Sequence, residues 1–105
     1  MTVETTDIEN RLGMSFSLTT NPTSTQVSNF INEARTIFEA ETGSAPDEDD
    51  ANEKDILVEI TVNLIKRYFW ANAGFPVARD GVAFSQVEIL PPSLLRRLHG
   101  CVELI

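Results

Sequence analysis

The residue types that could do chemistry here are few. The single histidine, His99, lies two positions before the single cysteine, Cys101, and such a pair could serve as base and nucleophile or contribute to a metal site. Two ligands at one end of a chain fall short of the four that a structural zinc needs, so His99 is expected to end a helix and Cys101 to fill a small apolar space. The run Asp47-Glu48-Asp49-Asp50 offers carboxylates for a cation. With Asp47 as first position of a calcium loop, however, the sixth would be Asn52 instead of Gly and the twelfth Val58 instead of Glu, which rejects an EF-hand. These acids are expected to be a solvated connection whose last members favour the start of the following helix. The chain shows no glycine-rich phosphate loop, no Walker-type lysine and no carboxylate–histidine metal motif. The expectation is a protein that is not an enzyme, with no catalytic, cofactor-binding or metal residues.

Charge narrows the partners. Sixteen acidic against eight basic residues give a net charge of −8, and only Lys54 and Lys66 are lysines. Such a surface repels phosphate backbones and argues against nucleic-acid binding through a basic patch. It is also what a protein needs to stay soluble in high salt. Arg96 and Arg97 either face solvent near a helix C-terminus or meet an acidic patch on a neighbouring copy. With 105 residues, a hydrophobic share of 42% and one cysteine, a single domain without a disulfide framework is expected. Residues 1–7 lack the basic segment and apolar run of a signal peptide, and Asp55, Glu59, Lys66 and Arg67 interrupt the most apolar stretch, so a soluble protein rather than a membrane span is expected.

The elements that would position these groups can be read from caps and periodicity. Thr6 and Glu9 have capping-box spacing, so a short helix is predicted from near Asp7, carrying Ile8 and Leu12 to Gly13. Residues 14–22 are a Ser/Thr-rich loop with an extended piece possible at 14–18. Thr23 and Gln26 repeat the capping logic, and Val27, Phe30, Ile31, Ala34, Ile37 and Phe38 form one stripe of a helix ending at Gly43. After the acidic loop, a helix is predicted over 55–73. Ile56, Leu57, Val58, Ile60, Val62, Leu64, Ile65, Tyr68, Phe69 and Ala71 cover roughly two-thirds of its circumference, twice the share of an ordinary surface helix. Trp70 falls within its polar stripe of Asp55, Glu59, Asn63 and Lys66. Either this helix is central to the fold or part of it faces another chain.

Beyond Gly74 no clean period survives. Asp80-Gly81 suggests a turn, 81–90 an extended or β-like segment, Pro92 the start of a two-turn helix reaching Gly100, and 101–105 an apolar tail. The fold class expected is mainly α: a small bundle of three or four helices in one domain, 1–105, with 79–105 as a possible docking arm.

This order of elements resembles the small head–tail connector proteins, also called adaptors or head-completion proteins, of tailed bacteriophages and tailed archaeal viruses. The likeness is carried by the capped helix at Thr6–Gly13 and by Gln26-Val27-Ser28-Asn29-Phe30-Ile31-Asn32-Glu33-Ala34 ending in Thr42-Gly43. The apolar helix Ile56–Trp70 with aromatic residues near its end and Leu90-Pro91-Pro92-Ser93-Leu94-Leu95 complete it. The resemblance spans most of the chain. It implies a virion protein assembled in the host cytoplasm, a homo-oligomeric ring, usually a dodecamer, docked beneath the portal protein and offering a surface to a tail or tail-completion protein. DNA would pass through its acidic channel without sequence-specific binding. The surplus apolar surface then suggests Trp70, Tyr68 and Phe69, with Arg96, Arg97, Leu104 and Ile105, as subunit or portal contacts. The alternative is a small cytoplasmic regulatory or antitoxin-like module that binds one partner through an amphipathic helix.

Overall fold

The computed structural model describes residues 2–70 and 89–101 and, beyond residue 68 of the central helix, only the backbone of 69 and 70. Within them lie four α-helices and no strand: α1 (Thr5–Leu12), α2 (Ser24–Thr42), α3 (Ala51–Ile65), continued by a π-helical turn (Lys66–Trp70), and α4 (Pro92–His99). The chain is a small, mainly helical bundle.

Each boundary has a local cause. At α1 the box forms two residues earlier than the sequence suggests: the Glu4 N–H donates to Asp7 Oδ2 (2.8 Å), and the Glu9 carboxylate accepts from Phe16 N–H (2.7 Å). Val3 is buried and held by a distant ion pair, which fixes the chain's direction before Thr6 is reached and leaves Glu9 to brace the exit. Gly13, at φ 71°, closes the helix with its N–H on Glu9 O. α2 begins as expected, Thr23 and Gln26 exchanging bonds of 2.9 and 3.2 Å, and ends at Gly43 with φ 85°. α3 starts at Ala51 rather than Asp55, because Asp50 Oδ2 accepts Glu53 N–H (3.0 Å) and allows the polar first turn to be helical. Nor does it stay α-helical to 73: from Lys66 the turn widens. Pro92 occupies the first position of α4, where its missing N–H costs nothing, and the Pro91 carbonyl accepts from Leu94 and Leu95.

α3 is the central helix. Ile56, Leu57, Val58, Ile60, Thr61, Val62, Leu64 and Ile65 are all buried within the chain. α2 covers one side with Val27, Ile31, Ala34 and Phe38, while Ile8 of α1 and Leu94 and Leu98 of α4 join the same core. Thr61 satisfies its hydroxyl on Leu57 O. The surplus apolar surface expected to meet a neighbour is therefore, as far as Ile65, consumed by the chain's own helices, because α1, α2 and α4 all pack around α3.

Of residues 79–105, the stretch 92–99 folds back against α2 and α3 and buries two leucines, and Asn63 Nδ2 donates to Ile89 O (3.1 Å) to guide the chain there. The extended segment expected at 81–90 lies outside the described residues except for 89 and 90, which form a bend. Residues 14–18 form no strand but an ordered loop, with Phe16 buried.

Candidate functional site

Two charged constellations and one aromatic pair stand out on this scaffold. Asp55 and Glu59, one turn apart on α3, form an acidic ridge. Arg11 of α1 approaches from one side, pairing with Asp55 and, at 3.2 Å, with Glu59 Oε2. Arg97 of α4 approaches from the other, its Nη2 2.8 Å from Asp55 Oδ2 and 3.3 Å from Asn52 Oδ1, its Nη1 3.8 Å from Glu59 Oε2. Hydrogen bonds from Arg97 and then Arg11 hold the Asp55 carboxyl below its ordinary range, overcoming the opposing push of burial. Two cations and two anions balance, so the cluster fastens α1 and α4 to α3 and leaves no net charge for a ligand. The groove of about 360 Å³ beside it, between α1 and α3, is likewise self-compensated: Lys54 Nζ lies 3.6 Å from Asp7 Oδ1.

The second constellation clamps the N-terminal segment. Glu48 Oε1 accepts Val3 N–H (2.8 Å) and Arg35 Nη2 (2.8 Å), and Glu48 Oε2 accepts Arg35 Nε (3.2 Å). Arg35 Nη2 also donates to Val3 O (3.2 Å), so one ion pair satisfies both backbone groups of a buried valine. The Arg35 bonds keep the Glu48 carboxyl below its usual range. The expectation that solvent keeps every acid of the 47–50 loop ordinary thus fails at Glu48.

His99 is exposed at the end of α4, and Cys101 is half-buried with Sγ 3.5 Å from Arg97 O. Burial, with the charges of Glu53 and Asp50, pushes the Cys101 thiol up, the wrong direction for a nucleophile. Among the described residues no group of three or more His, Cys, Asp or Glu converges as a metal site, and no helix is long and apolar enough to cross a membrane.

The residues expected at contacts divide. Tyr68 projects from the π-helical turn, half-exposed, with its ring 5.5 Å from that of Phe30 on α2 and tilted by 44°. Arg97 finds its acids within its own chain, whereas Arg96, the residue before it, is exposed. The side chains of Phe69 and Trp70, and Leu104 and Ile105 entirely, lie outside the described residues. Sequence reasoning missed Arg11, Arg35, Glu48 and Asp55 as fasteners. The one available signal was the pair of acids at i and i+4 on an otherwise apolar helix, a spacing that asks for flanking cations. Compared with protein families, curated proteins and solved structures, the chain matches none.

Proposed function

We propose that this chain is a structural subunit of a tailed virus: a head–tail connector that assembles as a ring between portal and tail and extends the DNA channel at the capsid vertex. The observation that carries the proposal is the order of parts. A short glycine-stopped helix, a Thr-capped amphipathic helix ending in Thr-Gly, a central apolar helix that turns an aromatic residue outward at its end, and a proline-opened terminal helix succeed one another as in that family. Its role is architectural, without catalysis or cofactor. The ring is a homo-oligomer, a dodecamer by the resemblance, and an acidic lumen would let DNA slide by offering phosphates nothing to bind. Tyr68, with Phe30 behind it, supplies a rigid aromatic contact for a neighbouring subunit or the portal.

A regulatory or antitoxin-like module is the second reading, favoured by one observation: α3 is sealed by its own chain as far as Ile65, which leaves Tyr68, beside Phe30, as the exposed aromatic among the described residues. Native mass measurement of the full chain, alone and mixed with purified portal rings, separates the two. A ring-sized assembly bound to portal supports the connector. A monomer or dimer indifferent to portal rejects it.

A further inference from the structure

In a chain carrying sixteen acidic and eight basic residues, no charged side chain occurs between Arg11 and Glu33. The structure gathers much of this neutral run on one surface. At 100° per residue, Thr25, Ser28 and Asn29 of α2 fall within roughly 100° of arc, away from the buried Val27 and Ile31; the same side turns charged further along, where Arg35 Nη1 donates to Asn32 Oδ1 (2.6 Å) and Glu39 follows. All three are exposed. The loop before α2 abuts this stripe, since Ser24 N–H donates to Ser17 O (2.8 Å). It is stiffened by its own hydroxyls: Thr20 Oγ1 accepts Ser17 N–H (2.8 Å) and donates to Pro22 O (2.8 Å), and Ser17 Oγ accepts Thr19 N–H (3.2 Å). Buried Phe16 and Pro22 anchor its two sides. At its tip stands Leu18, 76% exposed and the most exposed large apolar side chain described.

A mobile loop would make an exposed leucine unremarkable; an ordered one presents it. Charge identifies the occupant. Two copies at −8 each repel one another, and that repulsion is least where neither contributes a charge, which is also why the centres of interfaces are depleted of charged residues. We propose that the uncharged face made by the 17–22 loop and the first turns of α2, at Thr25, Ser28 and Asn29, with Leu18 at its tip, docks a second copy of this chain. The assignment rests on the homo-oligomeric part of the function proposed above and names a surface other than the aromatic end of α3.

Sedimentation velocity on the full chain tests it. The unmodified chain should self-associate, as strongly or more strongly at roughly 0.5 M KCl as at 0.05 M, because salt screens the repulsion and breaks no ion pair in the contact. Leu18→Asp and Asn29→Asp, at exposed positions that leave the core and the near-ultraviolet dichroism unchanged, should each weaken association roughly tenfold or more by placing a carboxylate in the contact. Ser93→Asp, exposed on α4, should leave association as it was. If the unmodified chain associates and both variants associate equally well, the surface is wrong and the homo-oligomer stands. A chain that stays monomeric at every concentration and both salts overturns both.

Discussion

Replacing Glu48 by glutamine exchanges one carboxylate oxygen for an NH2 group and removes the centre of the N-terminal clamp. The carboxylate accepts three hydrogen bonds, from Val3 N–H, Arg35 Nε and Arg35 Nη2, and its side chain is only 16% exposed. The amide keeps one acceptor oxygen, while its NH2 is forced against a donor, either the guanidinium or the Val3 N–H. Hydrogen bonds to a charged group contribute about 1.5–3 kcal/mol each, but Arg35 retains Asn32 Oδ1 and Val3 O and is partly reached by water, so the net loss is placed at about 2 kcal/mol. With a urea slope of roughly 1.5 kcal/mol per molar, the unfolding midpoint at pH 7 should fall by about 1.3 M. The pH dependence carries a definite sign. Because the folded-state pKa of Glu48 is lowered, its stabilisation is complete above the ordinary glutamate value of about 4.3 and is lost as pH falls through the folded value. The two proteins should therefore converge in stability under strong acid. A midpoint shift below roughly 0.3 M at pH 7, or a gap that does not narrow in acid, would refute the clamp as the cause.

Asp55→Asn should loosen both flanking helices at once, seen as faster amide exchange in α1 and α4. Its cost in denaturant unfolding should be only about 1 kcal/mol, because the acid and both arginines are more than a third exposed; since the folded pKa of Asp55 is lowered, this contribution is complete above the ordinary aspartate value of about 3.9 and is lost as pH falls through the folded value. Ile60→Ala, at a fully buried position of α3, should cost about 2–5 kcal/mol by thermal or chemical unfolding. Since its side chain packs inside one chain, folded Ile60→Ala should keep the parent's association state, and a change would show that α3 is shared between copies. Gly43→Ala should destabilise by about 1–2 kcal/mol although nothing lies within 4 Å of the added carbon, because φ 85° strains any side chain.

What could be read from the sequence is what neighbours in sequence decide. Thr23 and Gln26 start α2 because a hydroxyl and an amide three residues apart can satisfy each other's backbone; Gly13 and Gly43 stop helices because only glycine takes the left-handed turn freely; Pro92 opens α4 because its ring suits a first helical position. The apolar stripe of α2 and the surplus on α3 follow equally from composition at helical spacing. Thr6 and Glu9 show the limit of such reasoning, since a box at Glu4 and Asp7, less favoured by residue type, forms where Val3 is fixed from outside the helix.

The destination of the α3 surplus was not legible. Periodicity measures how much of a helix is apolar, not what covers it, and a neighbouring subunit or the same chain would demand the same sequence. Only the folded chain shows that α1, α2 and α4 together enclose Ile56 through Ile65. The fasteners are of the same kind. Arg11 meets Asp55 across 44 positions, Arg97 meets it across 42, and Glu48 meets Val3 across 45. Charges so far apart in the chain are brought within hydrogen-bonding range by the packing of apolar faces, so their pairing belongs to the tertiary structure, while the faces that force it belong to the sequence.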